Sequence, residues 1–408
     1  MRMIPLFAFV PAGLAAVSIH ANFEGGSTGR VEQVSNVHYR VASAGEKDQD
    51  GRNRQANWYY FRLDGARPGE PLIFDIVDLA GEYNYRPNRG AITRDTPPVI
   101  SYDNTTWHRL DTFEYDAEEP KLRLRLTPRQ SRFWIAHVPP YTNQHLERLR
   151  KKISSHPDFH EASVGKTAGG RQLALWTITS SAGADKPRKT VWLMFRQHSW
   201  ETGSSWSGEG AVLALLGDGP IARRLRQDVI WKIFPLCDPD GVARGGVRFN
   251  AHGYDLNRNW DLEDSVKMPE IAAQRRAIEQ WIGQGRAINL FLSLHNTETS
   301  EYLEAPPEDA FHELGARFYS LLKDHTSFHP SRALFHAESS TTAGKAGRMN
   351  VIQGLYRDWK LPAFLMEQRI AHNDKLKRLP LAEDRLRFGG ELVRAAWSAV
   401  MEIPFPQQ

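Results

Sequence analysis

The chain has 408 residues, 41% of them hydrophobic and 25% charged, enough to bury the cores of two or three domains. A formal net charge of +4 is too small at this length for a nucleic-acid binder, and no run of five or six like charges forms a basic arm or an acidic tail. The single cysteine, Cys237, excludes an intrachain disulfide, a cysteine zinc knuckle and an iron–sulfur site.

Arg2 is followed by an almost uncharged stretch, Met3–Val17, in which Gly13 and Ala15 stand at a cleavage-like spacing. This predicts a signal peptide over residues 1–15 and export, periplasmic or secreted; the alternative is a first apolar strand over Ala16–His20. No later stretch reaches about 18 apolar residues, so no membrane span is expected. Residues 16–141 read as an all-β sandwich. Apolar runs at Ser18–Phe23, Trp58–Leu63, Leu72–Val77, Val99–Tyr102, Leu122–Leu126 and Ser131–His137 alternate with turn residues such as Asp64-Gly65 and Pro68-Gly69. Pro139-Pro140-Tyr141 ends the module, and Gln144–Ile153 reads as a connecting helix.

From residue 142 onward strands alternate with helices, the pattern of an α/β sheet layered with helices. The predicted strands are Thr190–Phe195, Val229–Leu236, Ile288–Leu294 and Leu361–Met366. The predicted helices are Ser205–Leu216, Pro269–Gln284, Pro307–Lys323 and Ala382–Met401, with Pro269 and Pro307 at first helical positions.

Polar groups follow each strand: His198 and Glu201, then Asp238 and Asp240, then His295, then Glu367. In an open α/β sheet the carboxyl ends of the strands border a ligand crevice, so these groups can meet in one cleft. Two histidines and a glutamate form a catalytic zinc set that leaves one position open. A His-x-x-Glu pair alone is weak, because a chain with 15 His carries one by chance. Its context, strand before and helix after, strengthens it. Asp238-Pro239-Asp240-Gly241 reads more simply as a turn. In Asp255-Leu256-Asn257-Arg258-Asn259-Trp260, Arg258 can grip a carboxylate in a bidentate fork, with Asn257 as a further donor.

The ordered set His198-Ser199-Trp200-Glu201, Asp238-Pro239-Asp240-Gly241, Arg248, Asn257-Arg258, His295 and Glu367 resembles the M14 zinc metallocarboxypeptidases, in the spacing of the cytosolic carboxypeptidase subfamily. Asn57-Trp58-Tyr59-Tyr60-Phe61-Arg62 and Pro139-Pro140-Tyr141-Thr142 resemble that subfamily's N-terminal β-domain and its junction. The resemblance implies a mixed sheet flanked by helices and one Zn2+ per chain on His198, Glu201 and His295. It implies Glu367 as general base, Arg248 as the group facing the oxyanion, and Asn257 and Arg258 as binders of the terminal carboxylate of a peptide or protein. Gly347-Arg348 resembles a segment whose arginine favours acidic C-terminal residues.

Three positions depart from the pattern. Ser199-Trp200 stands where the subfamily has Pro-Gly, and Asn296-Thr297 where the family often has Gly-His. The tyrosine of the digestive relatives has only Tyr356 as a counterpart by guess. Two other readings keep the scaffold: a zinc amidohydrolase acting on peptidoglycan peptides or N-acyl amino acids, and an inactive carboxylate-binding module. The one Gly-x-Ser-x-Gly match, Gly25-Gly26-Ser27-Thr28-Gly29, lies in the predicted β-module and not at a strand-to-helix elbow, and no Gly-x-Gly-x-x-Gly turn follows a strand, which disfavours a serine hydrolase and a dinucleotide enzyme. The sequence does not determine an oligomeric state.

Overall fold

The computed structural model describes residues 17–83, 85–182, 187–306, 311–336 and 346–406. The expected leader over residues 1–15 and the expected helix start at Pro307 lie outside the described residues. Ser18–His20 is a strand, paired antiparallel with Tyr60–Asp64.

The N-terminal module packs two five-stranded sheets face to face. One runs in the order 18–20, 60–64, 133–136, 99–101, 108–109, the other 113–116, 121–126, 72–77, 38–42, 31–35. The period-2 alternation of their residues turns Phe61, Leu63, Phe133 and Ile135 of one sheet toward Phe74, Ile76, Leu122 and Leu124 of the other, and all eight are buried. The module also holds a small four-stranded sheet (46–47, 54–55, 81–83, 86–88). Sequence reading missed its strands because each is only two or three residues long and polar.

The second half holds one eight-stranded mixed sheet in the order 159–166, 172–178, 229–234, 189–195, 290–297, 363–369, 302–305, 335–336. Its four central strands are parallel. Buried on both faces, they read as near-continuous apolar runs, which is why they were legible in the sequence. Helices Thr202–Leu215, His312–His325 and Ala382–Met401 contribute to the core on one face. Helices Pro269–Gly283 and Val351–Trp359 contribute to that on the other.

Several predicted strand limits shift, and Val229–Leu236 ends at Phe234. Strands Leu290–Thr297 and Ala363–Arg369 run past the predicted limits, so His295 and Glu367 lie within their strands, side by side in register. Both side chains mix polar chemistry with a β-ladder backbone, and the apolar pattern that defined the predicted ends stops at Leu294 and Met366. The Asp238-Pro239-Asp240-Gly241 turn is the start of a short helix, Pro239–Arg244, capped by Asp238, whose Oδ1 accepts the Gly241 N–H at 2.8 Å.

Helix Thr202–Leu215 lies very close to helix Ala382–Met401. A Cβ on Gly210 would stand 1.9 Å from the Leu386 carbonyl oxygen, and one on Gly389 would stand 2.0 Å from that of Ser207. Only glycine permits this approach, and it anchors the helix whose N-cap is Glu201.

Candidate metal centre and substrate pocket

Strand Lys189–Phe195 delivers the chain to a tight turn that begins with Arg196 at φ 63°. The Arg196 side chain is fully buried. Its Nε and Nη2 donate to the Ser199 carbonyl, and Nη1 donates to Ser205 Oγ at 3.0 Å. The turn that carries His198 is thereby tied to the helix that follows. Glu201 occupies the N-cap of that helix but makes no side-chain cap bond. Its carboxylate faces the two imidazoles instead: Oε1 lies 2.6 Å from His198 Nδ1 and Oε2 lies 3.0 Å from His295 Nδ1.

One ligand atom from each of His198, Glu201 and His295 lies within 4.8 Å of the others, and all three residues are buried. The outer ring nitrogens are already committed. His198 Nε2 lies 2.9 Å from Asp255 Oδ1, and His295 Nε2 lies 3.0 Å from Gln197 Oε1 and 2.9 Å from Ser293 Oγ. A carboxylate and an amide oxygen only accept, so with a cation between Glu201 and the two Nδ1 atoms both Nε2 atoms would carry the proton and both Nδ1 atoms would present lone pairs to it. Two imidazoles and one carboxylate, with satisfied outer partners, fit a catalytic zinc.

Arg248 and Glu367 stand beside this centre. Arg248 Nε donates to Asp255 Oδ2 at 2.7 Å, so Asp255 bridges a candidate ligand and a cation. Burial opposes the charge of Arg248, but Asp255, Glu201 and Glu367 hold its pKa above the usual value. Burial and the charge of Glu201 push the Glu367 carboxyl well above the ordinary range, against the pull of Arg248. Glu367 Oε2 is buried without a hydrogen-bond partner among the described residues.

A cavity of about 430 Å³ opens next to Arg248 and Asp255, and Arg258 and Arg348 line it. Four arginines and three aspartates line it in all. Asn257 is buried, and its Oδ1 accepts the Val351 N–H at 3.1 Å, which leaves its amide N–H groups as donors. Burial and the neighbouring guanidinium groups of Arg248 and Arg348 depress the pKa of Arg258, although Asp255 opposes them. Gly347 adopts φ 77° and donates its N–H to Asp261 Oδ2 at 2.7 Å, which fixes the segment that brings Arg348 to the cavity wall.

The other candidates lie elsewhere. Asp238 is a helix cap, and Asp240 pairs with Arg171 at 2.7 Å. Tyr356 is buried, edge-on to Phe311, and is not among the residues lining the cavity. Trp200, in place of the subfamily glycine, is buried at 4% exposure and stacks on His137 of the β-module at 5.9 Å. Asn296, in place of glycine, accepts the Ser204 N–H at 2.9 Å and donates to the Gln368 carbonyl at 3.1 Å.

Several site residues carried no individual role in the sequence reading. Asp255 had a usable signal, since it opens the motif that contains Asn257 and Arg258. Gln197 and Ser293 flank the two histidines and had only proximity. Glu46 had none. Its Oε2 accepts the N–H groups of Val247, Arg248 and Phe249 at 2.9, 2.6 and 2.8 Å, across some 200 residues. Asp48, Arg52, Asn53 and Tyr83 of the β-module also line the cavity.

The family described as zinc carboxypeptidase matches residues 145–360, and the one described as cytosolic carboxypeptidase N-terminal domain matches residues 19–138. The chain therefore belongs to the M14 zinc carboxypeptidase family. It is 30% identical over 263 residues to cytosolic carboxypeptidase 6 of Mus musculus, covering 60% of this chain and 46% of that protein. It is 28% identical over 283 residues to uncharacterized protein ZMO1242 of Zymomonas mobilis, covering 69% of this chain and 68% of that one. The chain thus matches about half the length of the mouse relative. In structure it resembles a metallo-carboxypeptidase from Burkholderia cenocepacia, with TM-score 0.81, 23% identity, and coverage of 95% of this chain and 99% of that one. A metallo-carboxypeptidase from Pseudomonas aeruginosa in complex with (2-guanidinoethylmercapto)succinic acid gives TM-score 0.77 at 22% identity, with 94% and 99% covered. At these identities the likeness shows the shared fold. No helix among the described residues is long and apolar enough to cross a membrane.

Proposed function

We propose that this chain is a zinc-dependent carboxypeptidase that releases C-terminal amino acids, preferentially acidic ones, from peptides or proteins. The observation that supports it most is the convergence of His198 Nδ1, Glu201 and His295 Nδ1 beside a cavity lined by Arg248, Arg258 and Arg348. His198, Glu201 and His295 would hold one zinc ion per chain, which would supply Lewis acidity and lower the pKa of water toward 7.

The remaining steps belong to protein groups. Arg258 and the amide of Asn257 bind the terminal carboxylate, as a planar fork with a flanking donor suits. This orients the last peptide bond toward Arg248 and Glu367. Glu367 takes the proton of the attacking water and returns it to the leaving amine. Arg248, held by Asp255, faces the negative charge that develops on the carbonyl oxygen. An apolar last side chain would leave Arg348 facing a desolvated apolar surface, whereas Glu or Asp would pair with it.

Elemental analysis of the purified protein, together with release of free amino acids from a C-terminal peptide library, tests this reading. One zinc per chain, activity lost to a chelator and restored by zinc, and faster release of Glu than of Leu or Lys are expected. The Glu preference should collapse in Arg348→Ala. Absence of stoichiometric metal from active protein overturns the zinc role. Cleavage of N-acyl amino acids or peptidoglycan peptides without release from ordinary peptides favours the amidohydrolase reading, and zinc binding without turnover the inactive module.

We also propose a division into a β-module over residues 16–141 and a catalytic domain over 142–408, with residues 1–15 removed on export. Intact mass of the native protein checks the last point: a full-length chain overturns it.

A further inference from the structure

A second cavity, of about 370 Å³, lies against the face of the large sheet that carries helix Pro269–Gly283. It shares no lining residue with the cavity beside Arg248. Lys232, Arg276 and Arg286 line it, and no aspartate or glutamate does.

Lys232 sits in the middle of strand Val229–Phe234, opposite Trp192 in register, and is half-buried. Its Nζ donates to Thr177 Oγ1 at 2.8 Å and lies 5.1 Å from the centre of the Trp281 ring and 5.7 Å from that of Trp192. Arg286 lies over the same Trp281 ring, 4.5 Å from its centre. None of the three cations is within 4.0 Å of a carboxylate among the described residues. Trp192 is 0% exposed, and its Nε1–H, a donor that has no other use, is without a hydrogen-bond partner among the described residues.

A half-buried ammonium costs free energy unless partners offset its lost hydration. Burial, and the charge of Arg286, depress the Lys232 pKa to about 8. The environment is therefore short of negative charge and of acceptors, the reverse of what a structural lysine needs. A single carboxylate would bring one charge and two oxygens. A phosphoryl group brings nearly two charges and three acceptor oxygens, which suits two cations lining one cavity from a strand and from the segment after a helix.

We propose that this cavity binds the phosphoryl group of a small phosphorylated molecule or of free phosphate. Lys232 and Arg286 supply the charge and the hydrogen-bond donors.

Calorimetry and tryptophan fluorescence on the zinc-loaded full chain, at fixed ionic strength, test it with inorganic phosphate, glycerol 3-phosphate and acetate. One site per chain that persists in Arg258→Gln is expected for the two phosphoryl probes, with acetate at least tenfold weaker there. Lys232→Met and Arg286→Gln should each weaken phosphoryl binding at least tenfold while peptide hydrolysis stays at the native rate. Arg258→Gln, in the catalytic pocket, should leave the site intact. Tighter binding of glycerol 3-phosphate identifies an organic ester as the source, and equal affinity identifies free phosphate. Arg286 is exposed, so its variant tests the idea even if Lys232→Met fails to fold. Binding that survives both cavity variants, that is lost in Arg258→Gln, or that is undetectable at millimolar probe overturns the proposal.

Discussion

Glu367 is held in a strand with one carboxylate oxygen buried and unpartnered, next to Glu201 and within the field of Arg248. A group so placed has a proton-transfer role open to it and little structural use. Glu367→Gln keeps the shape and removes the base. Turnover is expected to fall by about 10²–10⁴, with zinc content and substrate binding close to native. Steady-state kinetics and metal analysis on the same preparation check this, and near-native kcat would remove Glu367 from the mechanism. At this scale the sequence was informative about which residue types met and silent about their outer partners. A histidine's second nitrogen can be satisfied by any acceptor, so nothing in the chain singled out Gln197 or Ser293 for His295.

Short elements hold the active loops, and their caps are where pH acts on stability. Asp238 caps helix Pro239–Arg244 from a fully buried position, and burial raises its pKa to about 7, against Arg244 and the Gly241 N–H. In the unfolded chain an aspartate ionises near about 3.9. Between those values the folded state holds a proton that the unfolded state has released. Folding stability from this group is therefore complete below about pH 4, falls as pH rises toward 7, and is constant above it. Asp238→Asn retains the capping oxygen and abolishes the titration. Urea midpoints of the two proteins should converge near pH 4 and separate in favour of the variant by on the order of 2–4 kcal/mol at pH 8. A difference independent of pH would show that Asp238 is ionised in the fold. The sequence marked Asp238-Pro239-Asp240-Gly241 as a turn because Asp, Pro and Gly are shared by turns and helix starts. Only the continuation to Arg244 separates the two.

Across the whole molecule the β-module serves as one wall of the site. Glu46 accepts three consecutive backbone N–H groups on the Arg248 segment and pairs with Arg244 at 2.6 Å. Trp58, Tyr60, Val138, Trp200 and Val247 share one buried cluster across the junction. Glu46→Ala frees the Arg248 segment and should lower kcat by about 10–100-fold, the scale of a 1 Å misplacement, with zinc still bound. Glu46→Gln keeps one carbonyl oxygen for the three N–H groups and should recover part of the loss. Equal, native kcat in both variants would show that the Arg248 segment holds its place unaided.

The sandwich and the parallel strands were legible in the sequence, and the ordered set of His198, Glu201, His295, Arg248, Asn257, Arg258 and Glu367 was legible as a candidate site. Buried strands need unbroken apolar runs, and site chemistry needs particular side chains close to their ends. The tertiary structure alone decided that His295 and Glu367 lie side by side within their strands, since backbone pairing continues where apolar patterning stops. It alone decided that Trp200 is a junction residue and that Glu46 holds the Arg248 segment. Contacts between positions some 200 residues apart leave no local period or motif, because the chain's path, and not its neighbourhood in sequence, brings them together.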